Sequence, residues 1–381
     1  MNTVQAVLQI DSDAEAALEA VFALQPDLVL VFGALAFFDA PGLAALLRRR
    51  APQALLAGCS TAGEIAGDRV HDATCVVTGV RFAQTGLAGA STAIAGMDDS
   101  FQAGARLAAQ LAPRGLSAVL LFGTGVAVNG SALVAGLQSA LPPGVPVSGG
   151  LAADGGAFRQ TWTLGPEGAA ADRIVAVGLY GSRIRLAYGS FAGWQAFGPA
   201  RKVTRCSDNV LYELDGGRAL DIYRAYLGDY AGALPGSGLL FPFEMLGRDR
   251  QGSGTFRTII GMDAAAGSLT LAGDIDPEGY LKLMHASIDR LIDGAETAVR
   301  EALRDMGETG EAGGLAILVS CVGRKLVMGD RVDEEVEAVA SALGGNTTVT
   351  GFYSNGEIAG ARAGPCSLKN QTMTITWMRE T

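Results

Sequence analysis

The chain has 381 residues, of which 49% are apolar and 18% charged, and its net charge is −10. That balance excludes a disordered chain. The sign excludes a nucleic-acid partner, which needs basic surface to displace counterions. The 53 glycines are about twice the usual share, and without a collagen period they imply many tight turns.

The opening residues MNTVQAVLQIDSDAEAALEAV place no basic segment before a long apolar one, so no signal peptide and a cytoplasmic location are expected. LVLVF at 28–32 reads as a buried strand. Pro41–Arg50 reads as a helix ending in Arg48, Arg49 and Arg50, where cations complement the helix dipole. A Gly-rich turn follows, GCSTAGEIAGDR at 58–69, and then a strand, CVVTGVRF at 75–82. Residues 115–137 carry no charge, but Gly123, Thr124, Gly125, Asn129, Gly130 and Ser131 interrupt them. Strand, turn and helix fit that stretch better than a membrane span. AVLLFG (118–123), a helix over Ser131–Ala140 and VPVSGG (145–150) lead into Gly150–Gly155.

Residues 174–191 predict a hairpin turning at Gly181-Ser182. The composition changes over Ala192–Pro199, which puts a boundary near residue 198 and divides the chain into domains 1–198 and 199–381. Beyond it, Asp215-Gly216-Gly217 precedes a helix over 218–227, and GLLFPFEML (238–246) reads as a strand. A long helix is predicted over Pro277–Met306, with Leu281, Met284, Ile288, Leu291 and Ile292 as its apolar stripe. The strand LAILVS (315–320), a helix over Glu334–Leu343, GFYSNGEIAGAR (351–362) and the strand TMTITW (372–377) close the chain.

The two Gly-rich turns agree at seven of twelve positions, and each follows strand, helix and strand. Residues 118–155 form a weaker third copy, with Gly150 and Gly155 set against Gly58 and Gly63. The expected fold is α/β, with two domains of internally duplicated strand–helix–strand units and helices packed on mixed sheets. In such folds ligands collect at loops beyond strand ends. In one reading GEIAGxR is fold architecture, Gly supplying turns and Arg pairing with Glu. In another it binds a zwitterion, with Arg69 and Arg362 taking a carboxylate, Glu64 and Glu357 an amine, and Gly58, Cys59 and Gly356 lining the site.

The five cysteines (Cys59, Cys75, Cys206, Cys321 and Cys366) form no CxxC pair, so they read as reduced thiols without a zinc nucleus. Thiol catalysis by Cys59 or Cys321, with Glu64 or Glu357 as acid or base, is the enzymatic alternative. No GxSxG elbow supports it, and FGTGVAVNG (122–130) has Val128 where GxGxxG needs its third glycine.

GCSTAGEI (58–65), SGGLAADG (148–155), VTRCSDNVLYELDG (203–216), LAGDI (271–275), RLIDGAETA (290–298), SCVGRK (320–325) and GFYSNGEI (351–358) resemble the FIST family, N-terminal and C-terminal domains together. The resemblance implies a cytoplasmic sensor in bacterial signalling that binds a small molecule such as an amino acid and works beside a histidine kinase or second-messenger enzyme. A homodimer is also considered. One branch of the family binds haem and senses nitric oxide, so haem b is the preferred cofactor expectation. Its axial ligand would be His285, on one helix face with Leu281, Ile288 and Ile292 and beside Met284. Cys321 and Arg324 would serve as alternative iron ligand and propionate partner, and His71 is a second, weaker candidate for the iron.

Overall fold

A computed structural model of the protein describes residues 1–39, 42–307, 313–359 and 366–381. The run Leu28–Gly33 is buried throughout, as a strand must be when a core lies on one face and a helix on the other. Leu28, Leu30 and Phe32 join one apolar cluster, while Val29 and Val31 join another with Leu46 and Leu47 of the following helix. The same alternation recurs at Ala118, Leu120 and Phe122 and at Leu315, Ile317 and Val319, all of which enter the cluster that holds Phe32.

Three units with the same order of strands produce this pattern. The first holds β1 (Asn2–Gln9), β2 (Leu28–Gly33), α1 (Gly42–Arg50), β3 (Leu55–Ser60), the hairpin β4 (Glu64–Ala66) and β5 (Arg69–His71), and β6 (Thr74–Arg81). The second holds β7 (Gly86–Ala93), α2 (Ser100–Ala108), β8 (Leu116–Gly123), α3 (Gly130–Ala140), β9 (Val147–Leu151), the hairpin β10 (Thr163–Gly165) and β11 (Gly168–Ala170), and β12 (Arg173–Tyr180). The third begins with β13 (Ile184–Phe191) and resumes at α4 (Ile288–Met306). It continues through β14 (Gly314–Cys321), α5 (Val322–Met328), α6 (Asp333–Leu343), β15 (Thr347–Ser354), β16 (Gly356–Ala359), β17 (Ser367–Lys369) and β18 (Met373–Glu380).

The units exchange their hairpins in a ring. The sheets run β1-β6-β2-β3-β10-β11, β7-β12-β8-β9-β16-β17 and β13-β18-β14-β15-β4-β5. In each, the last two strands come from another unit, and only the inner pair (β2 with β3, β8 with β9, β14 with β15) is parallel. Strands from before and after residue 198 therefore share sheets. The expected hairpin over 174–191 is corrected: β12 pairs with β7 and β8, whereas β13 pairs with β18. Gly181 turns the chain from one sheet to the next because β12 is a central strand, buried along nearly its whole length.

Residues 195–285 are inserted between β13 and α4. They fold into an antiparallel sheet with the helix Ala219–Leu227 packed on it, around Leu211, Leu214, Leu220, Tyr223 and Leu269. Within it the expected strand over 238–246 is shorter, Phe243–Leu246. The predicted helix Pro277–Met306 is also corrected. Tyr280–His285 is a strand, paired with Gln195–Ser207 and with Phe243–Leu246, and the helix starts only at Ile288. Pro277-Glu278-Gly279 is a turn, and a Cβ on Gly279 would lie 2.6 Å from the Leu246 carbonyl oxygen. The apolar positions of a strand and of the helix after it had merged into one apparent helical period.

The leading glycine of each turn has a packing reason. A Cβ on Gly58, Gly149 or Gly351 would approach the carbonyl oxygen of Val31, Leu121 or Leu318 to 1.9, 2.0 or 1.9 Å. The structural counterpart in the second unit is therefore Gly149, one residue before the Gly150 chosen from sequence. Phe32, Phe122 and Phe352 meet where the sheets converge, with ring centroids 4.7 to 6.4 Å apart. Among the described residues no helix is long and apolar enough to cross a membrane.

Gly58→Ala and Gly351→Ala are each expected to cost at least about 3 kcal/mol, through backbone overlap and a strained φ. Gly42→Ala, where the added methyl meets nothing within 4 Å, should be neutral or stabilise by up to about 1 kcal/mol. Urea unfolding of the three variants checks the contrast.

Candidate functional site

The turns beyond β3, β9 and β15 are tied together by backbone hydrogen bonds. The Ala153 N–H donates to Ser60 O (2.8 Å), Ala62 N–H to Tyr353 O (2.9 Å), Tyr353 N–H to Gly63 O (2.8 Å) and Asn355 N–H to Leu151 O (3.2 Å). Beside this junction lies a cleft of about 570 Å³. Thr61, Gly63, Glu64 and Asp72 of the first unit line it, with Asp154 and Gly155 of the second and Val322, Lys325, Leu326 and Gly329 of the third. It lies beyond the carboxyl ends of the parallel strands, where α/β folds gather ligands.

Among the described residues, Lys325 is the one cation that lines it. Its Nζ donates to Ala62 O at 2.8 Å, sits 5.7 Å from the Tyr353 ring centroid and pairs with Asp72, whose side chain is 71% exposed. A Cβ on Gly63 would lie 2.5 Å from that Nζ. The glycine of the first GEIAG copy thus makes room for an ammonium. In the second copy a Cβ on Gly356 would meet Leu151 and Leu368, in the core. Asp154 occupies the matching position of the second unit. Its carboxylate accepts from the N–H groups of Phe158 (2.8 Å), Arg159 (2.6 Å) and Gln160 (3.1 Å), which fixes an anion at the cleft wall.

The two motif glutamates have the same internal role. Glu64 accepts from the Thr61 hydroxyl and from Thr74 N–H (3.1 Å) and Oγ1 (2.8 Å). Glu357 accepts from Ser354 Oγ (3.2 Å) and from Thr372 N–H (2.9 Å) and Oγ1 (2.8 Å). Each ties its turn to the next strand. Burial raises both acids above the ordinary carboxyl range, against those donors, and it carries Glu357 to about 8.

Several sequence-derived assignments are corrected by these positions. Arg69 is exposed and lies 3.7 Å from Asp333, not beside Glu64, so Glu and Arg of the first copy do not converge on a zwitterion. Arg362 lies outside the described residues. Gly58 and Cys59 are core residues, with Cys59 fully buried. Arg324 is fully buried and ion-paired to Glu335 (2.6 Å). It also donates to the carbonyls of Ala192 and Leu291, so each of its three nitrogens is engaged inside the core. Glu335 in turn accepts from Ser320 Oγ and Tyr353 OH. Burial pushes the thiols of Cys59 and Cys321 well above their ordinary value, and Arg324 offsets little of this at Cys321. Neither is an activated nucleophile.

The proposed haem ligands do not converge either. Met284 packs inside a closed apolar cluster with Trp194, Phe256, Leu291 and Met328, and Ile288 lies against that cluster. His285, next on the strand, turns to the opposite face, its ring 5.7 Å from that of Phe197. This donor set does not fit a haem. His71 is half-buried on β5, opposite Glu64. Among the described residues no group of three or more His, Cys, Asp or Glu side chains is placed to hold a metal ion.

The FIST N domain model matches residues 27–217 and the FIST C domain model residues 219–360. The chain belongs to the FIST family. FIST domains are associated with signal-transduction sensors of small ligands. No curated protein matches the chain. Among solved structures, cyanuric acid hydrolase from A. caulinodans aligns over 99% of both chains, at 12% identity and a TM-score of 0.39. Lys325, the cation of the cleft, escaped sequence reasoning although it stands beside Arg324 in SCVGRK. Nothing in a seven-residue helix says which of two adjacent cations turns inward.

Glu357 gives a pH signature. Its folded pKa lies above the ordinary 4.5, so the native state keeps a proton that the unfolded chain has released. Stability should fall as pH rises from about 4.5 towards 8. Glu357→Gln should flatten that slope, read by thermal melts across the range. Thiol labelling of the native protein should reach Cys206, the half-exposed cysteine, well before the four buried ones.

Proposed function

We propose that this FIST protein is a sensor of a small zwitterion, such as an amino acid, that binds in the cleft beside the three-unit junction. The carrying observation is Lys325, an ammonium anchored on Ala62 O whose carboxylate partner, Asp72, is itself in solvent. A ligand carboxylate replaces Asp72 on Lys325, and the released Asp72 and the fixed Asp154 favour a cationic amine on the same ligand. The apolar wall, with Leu35, Val322 and Leu326, suits a short aliphatic body. Output runs through a separate histidine kinase or second-messenger enzyme.

A thermal-shift screen of amino acids and related amines and carboxylates tests this reading. Lys325→Ala should weaken the binding of any hit by about tenfold or more, while exposed Arg69→Ala should leave it unchanged. A hit whose affinity survives Lys325→Ala would place the ligand elsewhere. The haem and nitric-oxide alternative is separated by colour: on this reading, added haem keeps its free spectrum with the parent protein and with His285→Ala alike.

A further inference from the structure

A second concavity, of about 510 Å³, lies between α3 and the inserted sheet. Arg257 ends the strand Gly252–Arg257 there and is only 6% exposed. Its guanidinium meets neutral acceptors: Nε donates to Asp274 O (2.9 Å), Nη1 to Phe256 O (3.1 Å) and Nη2 to Ser131 Oγ at 3.5 Å, the limit of a hydrogen bond. The Asp274 carboxylate, whose charge is felt at Arg257, accepts instead from Asn129 Nδ2 (2.8 Å). Burial lowers the Arg257 pKa to about 10.

A second cation stands close by. Lys369 ends β17 directly after Ser367 and Leu368, which line the concavity, and burial and then the charge of Arg257 lower its pKa. Neither side chain forms an ion pair among the described residues. The positive end of the eleven-residue helix α3 adds to the same field, with Asn129 as its cap and Ser131 in its first turn. Gly273 lets the facing loop come close, since a Cβ there would lie 2.9 Å from Ser131 Oγ and 3.0 Å from Arg257 Cζ. In a chain of net charge −10, a buried arginine and a half-buried lysine, neither of them ion-paired to a carboxylate among the described residues, form a costly arrangement that a bound anion relieves.

We infer that this concavity is a second ligand site, for the phosphoryl or carboxylate group of a small molecule, with Arg257 as its fork and Lys369 and the start of α3 as its field. Asp274 and Asp276 line the same concavity. They restrict the ligand to one compact oxyanion on a neutral or cationic body and repel a polyanion. The site is separate from the Lys325 cleft and does not depend on the ligand proposed there.

Calorimetric titration of the full chain in a chloride buffer with inorganic phosphate, sulfate and acetate tests it. Saturable binding of at least one is expected, weakened about tenfold or more in Arg257→Gln and in Lys369→Gln and unchanged in Arg69→Ala, an exposed cation outside both concavities. Which anion binds distinguishes a phosphoryl from a carboxylate ligand. Circular dichroism checks that Arg257→Gln is folded, and if it is not, Lys369→Gln alone decides. Absence of saturable binding by all three anions, or binding that both substitutions leave intact, overturns the site.

Discussion

Everything in this molecule depends on how closely two parallel strands can approach at one point in each unit. At Gly58, Gly149 and Gly351 the neighbouring carbonyl oxygen fills the space a Cβ would need, at 1.9 to 2.0 Å. That contact seats the third strand against the second and aims the following turn at the junction. From there the hairpin passes into another unit's sheet. The ring of exchanged hairpins buries strand edges that would otherwise template pairing with other chains, and it makes each sheet incomplete without a neighbouring unit.

Much of this was legible in the letters. The repeated GEIAGxR, the apolar runs before it and the helices expected over 131–140 and 334–343 signalled duplicated α/β units, because period-2 and period-3.6 patterns are local properties. Which sheet a strand joins is not local. The segments 173–180 and 184–191 look like a hairpin since they abut a glycine turn, yet their partners lie at 86–93 and 373–380. Residues 277–306 misled for a related reason: Leu281 and Met284 fit a helical stripe by coincidence of spacing, and only long-range pairing made them a strand. His285 left the expected haem face with that change.

The candidate site was legible by place rather than by residue. The first Gly turn does line the cleft, as loops beyond strand ends should, but its glutamate faces inward and its arginine outward. Two copies of one motif have kept the same buried carboxylate bonding, Thr61 and Thr74 in one and Ser354 and Thr372 in the other. Their glycines diverged in use, one clearing space for Lys325 and the other packing on leucines. A buried acid satisfied by its own turn reads from sequence like a free one, because the donors that occupy it are distant or unremarkable residues.

Arg324 stands directly before Lys325, and it grips the carbonyls of Ala192 and Leu291. Those two residues bracket the excursion of the chain into the inserted sheet, one just before it leaves the third unit and one just after it returns. The lysine in the cleft and the clasp at the root of the insertion are consecutive residues of one short helix. A rotation of that helix by a fraction of a turn would move both, so the insertion and the cleft share one mounting.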